Sequence, residues 1–330
     1  MSNLFRSAVT VLVVLCAMVS WGATLPGFTT DTQFDEQTSS SVFAPGILVH
    51  FNAPGPAKLD ATKPTRLIIY TLPNGNSTTW TIGKKTGPGD DWHFNIQHIG
   101  AQTRRLRELL PNENIITVYA EASKKSWPTW RKETPSAPEH LLAFLDFARL
   151  QFRDYKPRVT LSGHSGGGSF LFGFLNANNS IPEWVDRIAF LDADYGYSAE
   201  EGHTTKVLSW LKGDPSRHLF VAAYDDRRIT VNGKLVVSGD GGTYRKTMKL
   251  ISDLGRETDL TSATTNNLIH NTGMNGQVEI FIHENPENKI LHTVLVERNG
   301  FVAALLSGSK AGTEADKFYA DPSYSRWIGN

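Results

Sequence analysis

Residues 161–170 read LSGHSGGGSF, four glycines among small and polar residues, directly after the run Arg158-Val159-Thr160. The chain continues as FLFGFL to Leu175, apolar enough for a buried helix. This order of strand-like run, glycine bend and helix-like run decides the fold. Gly163-His164-Ser165-Gly166-Gly167 fits G-x-S-x-G, in which a sharp strand-to-helix turn exposes one serine hydroxyl. Crowding explains the flanking glycines. A side chain two residues before or after the serine would collide with a neighbouring strand or helix, and glycine has no Cβ. A phosphate loop would need a lysine after its last glycine, and none is here. A dinucleotide-binding turn needs a different glycine spacing and an acidic partner. A plain glycine-rich turn remains the alternative.

Outward from this bend, short β-branched or apolar runs recur at 47–51, 66–72, 114–119, 158–161, 187–191, 219–224 and 278–282. Helical spacing lies between several of them. One helix is predicted over 94–110, with Ile96, Ile99, Leu106 and Leu109 on its apolar side. A second is predicted to start at Ser136-Ala137-Pro138-Glu139, where a serine cap and a glutamate three residues on satisfy free N–H groups reciprocally. Leu141, Phe144, Leu145, Ala148 and Phe152 follow at helical spacing. A third is predicted over 243–254. Short strands alternating with amphipathic helices imply an α/β protein with a mostly parallel sheet covered on both faces. No linker divides 46–330, so one catalytic-sized domain is expected there, after a polar, flexible lead-in over 23–45.

A serine alcohol is a poor nucleophile without a base and a group that orients the base. Both are expected after the serine, in the order serine, acid, histidine. Of the ten histidines, His50, His93, His98 and His140 precede Ser165 and are read as surface or packing residues. His164 is read as support for the bend. His292 lies in the loop ENPENKILHT, between the last strand pattern and a helical run, and is the expected base; His283, at a strand end, is the competitor. For the acid, Asp225 and Asp226 close the strand HLFVAAY. Asp226 is favoured and Asp225 is the alternative. Asp192 and Asp194, ending RIAFLDAD, compete with both. For the oxyanion, the N–H of Gly166 is one donor. The second is expected from Pro73-Asn74-Gly75-Asn76, with Asn76 favoured and Gly75 nearby.

Lys plus Arg and Asp plus Glu are equal at 33 each. That balance excludes an electrostatic case for nucleic acid or an anionic membrane. Arg6 precedes an apolar run over 8–19, broken only by Thr10, and Ser20-Trp21-Gly22 offers a cleavage site. Residues 1–22 therefore read as a secretory signal, with an uncleaved anchor as the alternative. The run is short for a spanning helix, which needs about 20 residues. The only cysteine, Cys16, lies inside it. Cleavage would remove disulfide and thiolate chemistry together.

Taken together, GHSGG around Ser165, an acid after the next-but-one strand and His292 after the last resemble the α/β-hydrolase superfamily over about 47–306. The resemblance implies a single domain with a central, mainly parallel sheet of about eight strands. It implies Ser165 as nucleophile, Asp226 as acid and His292 as general base, with no cofactor and no metal. Two departures are visible. Asn74-Gly75 stands where the superfamily usually has His-Gly, and the double aspartate leaves the acid ambiguous. Trp127, Trp130 and Arg131, after the strand over 114–119, are candidate substrate-binding residues, with Trp80 and Trp92 nearby. The residues 229–237 read as a hairpin with an Asn-Gly turn. The expectation is a secreted or periplasmic serine hydrolase acting on a small-molecule or glycan-linked ester. A serine peptidase, and a non-catalytic envelope or glycan-binding protein on the same fold, are the alternatives. Nothing in the sequence sets the oligomeric state.

Overall fold

The computed structural model of the chain describes residues 22–330; the apolar run over 8–19 and Cys16 lie outside them. The strands are β1 (Thr29–Asp31), β2 (Glu36–Phe43), β3 (Ile47–Pro54), β4 (Thr65–Thr71), β5 (Asn114–Ala122), β6 (Arg158–His164), β7 (Val185–Leu191), β8 (His218–Tyr224), β9 (Thr230–Val231), β10 (Lys234–Leu235), β11 (Leu260–Thr265), β12 (Leu268–Gly273) and β13 (Val278–His283). The helices are α1 (Thr78–Ile82), α2 (Ile99–Leu109), α3 (Trp127–Glu133), α4 (Ala137–Leu150), α5 (Gly168–Ala177), α6 (His203–Gly213), α7 (Thr243–Leu254), α8 (Val294–Glu297) and α9 (Gly300–Leu306).

One sheet of eleven strands runs in the order β1-β2-β3-β5-β4-β6-β7-β8-β13-β12-β11. Its central six, from β5 to β13, are parallel. Antiparallel strands extend both edges. The sheet is wider than the expected eight or so strands because β1, β2, β11 and β12, which no predicted run covers, add to the edges. β9 and β10 form the separate hairpin with Asn232-Gly233 at its turn, both in the left-handed region.

Side chains alternate between two apolar layers, as the pleat dictates. Along β4, Leu67 and Ile69 join the layer under α4 and α5, while Ile68 and Tyr70 join the layer under α2 and α9. Along β8, Leu219 and Val221 face the first layer, and Phe220 and Ala222 the second. Both faces are thus covered, and every strand of the parallel centre ends at the same edge. Sheets of this kind keep their chemistry at that carboxyl edge. The Ser136 cap differs from expectation. Ser136 is left-handed and its hydroxyl caps nothing, because that backbone turns the side chain away from the first-turn N–H groups.

The polar lead-in is not loose. Residues 29–43 form β1 and β2 and are paired into the sheet. Glu36, which begins β2, is 2% exposed. It accepts Arg104 Nε at 3.1 Å, Arg104 Nη2 at 2.9 Å and Arg107 Nη1 at 2.5 Å. The polar run hid this anchor because its partners lie some seventy residues away. Removing one partner of a buried ion pair leaves the other uncompensated, at about 3–5 kcal/mol. Glu36→Ala is expected to destabilise the fold by about that amount, read as a lower urea midpoint; an unchanged midpoint would mean the pair is structurally idle.

Candidate active site

β6 delivers the chain to Ser165, whose φ is 53°. Left-handed backbone is strained for a residue with a Cβ and is held here by its surroundings. Those surroundings are the end of β4. A Cβ on Gly163 would lie 2.4 Å from Thr71 Oγ1, and one on Gly167 would lie 2.2 Å from the Thr71 carbonyl. Thr71 Oγ1 also lies 3.0 Å from the Gly167 carbonyl and 3.2 Å from that of Ser162, so one strand end grips both sides of the turn. α5 begins three residues later, and the N–H of Gly168, its first residue, is taken by the Ser165 and Gly166 carbonyls of the turn.

His292 lies between β13 and α8. Its Nδ1 is hydrogen-bonded to Asp192 Oδ2. The carboxylate accepts, so Nδ1 carries the proton and Nε2 is left free to act as a base. Asp192 follows β7, is fully buried and is left-handed, with φ 49°. Its N–H donates to the Ala222 carbonyl of β8 at 2.7 Å. His164, next to Ser165, donates from Nε2 to the His292 carbonyl at 3.0 Å, and the two rings are 4.5 Å apart. Burial, and then the neighbouring His292, hold His164 well below the usual imidazole range, so it is neutral. No hydrogen bond joins Ser165 Oγ to His292 among the described residues; His164, the neighbour of Ser165 in the chain, is the residue that bonds the His292 backbone. Catalytic hydrogen bonds are often long in a free enzyme and shorten on binding.

The acid expected from sequence is corrected by this geometry. Asp226 is 3% exposed but is not on His292; its Oδ2 accepts the Thr243 N–H at 3.0 Å. Asp225 turns outward and takes Arg227 Nε at 2.8 Å and Nη2 at 2.6 Å. The physical reason lies in Asp192. Its left-handed backbone, tied to β8 through Ala222, swings the carboxylate across to the His292 loop before Asp226 can reach it. Asp194 is also buried, with Oδ2 accepting Thr247 Oγ1 at 2.7 Å. Burial first, and then the Asp192 carboxylate, raise Asp226 to about 6. Burial raises Asp194 to about 8, against the Thr247 hydroxyl, with Asp192 adding to the rise.

The oxyanion side is corrected as well. The Gly75 N–H is taken by the Lys125 carbonyl at 2.8 Å, and the Asn76 N–H turns back toward the Pro73 carbonyl at 3.4 Å. The residue that meets the turn is Asn74. A Cβ on Gly166 would lie 2.1 Å from Asn74 Oδ1, so the Asn74 amide covers the residue after Ser165. Trp127, Trp130 and Arg131 do not face the site. Trp127 and Trp130 are buried, at 1% and 3% exposed. Trp127 packs edge-on against Phe170 of α5, and Trp130 Nε1 donates to the Pro45 carbonyl at 2.7 Å. Arg131 Nη1 donates to the Ser169 carbonyl at 2.7 Å. α3 folds back on the helix behind Ser165, so these residues brace α5. The competing His283 accepts the Asn285 N–H at 3.0 Å and lies against Tyr319. A cavity of about 880 Å³ lies at the opposite end of the sheet, beside Asp60, Pro111 and Tyr155.

No family model and no curated protein matches the chain. Among solved structures it is similar to a thermostable esterase, with TM-score 0.45 and 15% identity, over 79% of this chain and 59% of that one. The chain thus spans under two thirds of that esterase's length. It is similar to a glucuronoyl esterase from Solibacter usitatus, with TM-score 0.41 and 12% identity, over 79% of this chain and 80% of that one. It is also similar to Thermogutta terrifontis esterase 2 phosphoramylated by tabun, with TM-score 0.38 and 8% identity, over 80% and 85%. The fold is of the α/β-hydrolase type. What carries that statement is the parallel centre, the left-handed serine between β6 and α5, and the histidine loop after β13. In this fold the carboxylate that meets His292 stands one strand earlier than expected, after β7.

Two outcomes follow. Asp192→Asn should lower turnover by roughly 10⁴-fold, because an amide no longer selects the tautomer with the free Nε2. Asp225→Asn should leave turnover within about twofold, as an exposed pair contributes little. Steady-state kinetics on one ester separates the two, and equal losses would return the acid to β8. For pH, Asp226 and Asp194 are raised above their unfolded values. The fold therefore favours their acid forms, and the stability they contribute is complete below about 4. It is lost as pH rises through about 6 for Asp226 and about 8 for Asp194. Asp194→Asn should therefore raise the Tm at pH 9 relative to the parent and not at pH 4; a Tm gap independent of pH would refute the assignment.

Proposed function

We propose that the chain is an exported serine hydrolase that cleaves an ester through Ser165, His292 and Asp192. The single observation behind this is the His292–Asp192 pair, seated beside a left-handed serine on a strand-to-helix turn. In this scheme Ser165 Oγ attacks the substrate carbonyl and His292 Nε2 takes its proton. The charge that develops on His292 is stabilised by the Asp192 carboxylate on its Nδ1 side. The tetrahedral oxygen faces the Gly166 N–H and the Asn74 side of the turn. Collapse breaks the bond to the leaving alcohol, which takes the proton from His292. Water then adds to the acyl-enzyme, giving its proton to His292; the bond to Ser165 Oγ breaks, Oγ takes that proton back from His292, and the acid leaves. Ester is favoured over amide because an alcohol leaves with less help than an amine. Export is supported by the basic start and the apolar run of the leader.

A fluorophosphonate probe tests the proposal. Labelling of the parent, lost in Ser165→Ala, is expected. Folded protein that resists the probe would instead favour a binding protein on the same fold. Acyl esters, acetylated sugars and aminoacyl amides, assayed side by side, separate esterase from peptidase; turnover of the amides alone would overturn the ester assignment.

A further inference from the structure

Three carboxylates are buried together at the carboxyl edge of β7 and β8, and α7 reaches each of them. The Thr243 N–H bonds Asp226 Oδ2, the Thr243 hydroxyl bonds Asp192 Oδ1, and the Thr247 hydroxyl bonds Asp194 Oδ2. Thr243 and Thr247 are both fully buried and stand one turn apart on one face of the helix. Asp192 is therefore held at both oxygens, one by His292 and one by Thr243.

Helix starts leave N–H groups without partners, and a side chain at the preceding position normally accepts one. That position is Gly242, which has no side chain to offer. Its φ is 89°, and a Cβ there would lie 2.5 Å from Asp226 Oδ2. A carboxylate seventeen residues earlier takes the place of the missing cap. The chain thus uses the second aspartate of the Asp225-Asp226 pair to seat the first residue of α7.

We propose that Thr243 is a positioning residue for this site: its hydroxyl fixes the Asp192 carboxylate against rotation, and Asp226 fixes Thr243 by accepting its N–H. The proposal rests on the Ser165–His292–Asp192 assignment above. A carboxylate bonded only to His292 turns freely about its Cβ–Cγ bond and carries the imidazole with it. One bonded at both oxygens cannot, and the free Nε2 stays aimed at the turn. Asp226 serves here without touching the histidine, which gives the residue favoured from sequence a structural task. The raised range of Asp226 agrees with a carboxyl that has one partner, an unpaired Oδ1 and a second carboxylate close by.

The test is a double-mutant cycle with a spectroscopic control. Thr243→Val removes the hydroxyl and keeps the shape. It should lower kcat by about tenfold to a hundredfold, the loss for one hydrogen bond to a charged group, with KM within about twofold. Thr243→Ser should restore kcat to within about threefold. In an Asp192→Asn background Thr243→Val should cost little more, since the two act as a unit; full additivity would overturn the proposal. Independently of turnover, the low-field proton resonance of the His292 Nδ1–H should shift or broaden in Thr243→Val and not in Thr243→Ser. An unchanged resonance would overturn the clamp even if the chain hydrolysed nothing. Loss of probe labelling in the parent, with the resonance responding as expected, would overturn the hydrolase assignment and leave the clamp standing. If Thr243→Val fails to fold, Thr243→Ala carries the same comparisons.

Discussion

Thr71 and Gly167 approach each other so closely that no side chain fits between them. Much of the site follows from that contact. The end of β4 presses on the turn after β6, and the turn responds by placing Ser165, half-buried, in left-handed backbone. The same strand end runs straight into Pro73-Asn74, which brings the Asn74 amide over Gly166. One packing contact thus positions both Ser165 and the group that covers its neighbour. The strain is sustained because the contact lies between two central parallel strands whose flanks are buried.

The carboxylates behind the histidine follow a different logic. Glu36, at the other end of the sheet, is buried against two arginines and keeps its charge by pairing. Asp192, Asp194 and Asp226 are buried together without an arginine or lysine bonded to them; they receive two threonine hydroxyls, the Thr243 N–H and the His292 Nδ1–H instead. Hydrogen bonds from neutral donors relieve only part of the desolvation. Asp226 and Asp194 accordingly retain their protons to higher pH, which lowers the repulsion on Asp192. Asp192 is the carboxylate that also meets the imidazole of His292.

The aromatic residues divide by the same geometry. Trp127 and Trp130 are spent on holding α3 against α5, so the helix behind Ser165 rests on rings rather than on loops. The rings that remain toward solvent near this edge are elsewhere. Trp92 is 68% exposed and stacks on His93, which stacks on Trp80, with Lys125 over the Trp80 ring. Lys125 is also the residue whose carbonyl takes the Gly75 N–H, which links this stack to the turn beside Ser165.

The sequence by itself determined the strand runs, the serine turn and the histidine loop, because each is a local pattern. Alternating β-branched residues specify a strand wherever it pairs, and a glycine-flanked serine between a strand and an apolar helix has few other uses. Asp192 and Asp226 were both visible as carboxylates at strand ends. Only the tertiary structure decided between them, because the choice depends on a left-handed residue and a cross-strand bond to Ala222, neither of which leaves a trace in residue order. The same holds for Gly75 and Asn76, whose N–H groups were claimed by partners folded against them, and for Glu36, whose arginines arrive from a helix. Thr243 gave no local signal at all: a threonine at a helix start is ordinary until the fold sets two aspartates against it. Residue order specifies which groups are present and which backbone they prefer. Which of two equivalent groups meets a third is set by packing between segments distant in the chain, and that is a property of the whole fold.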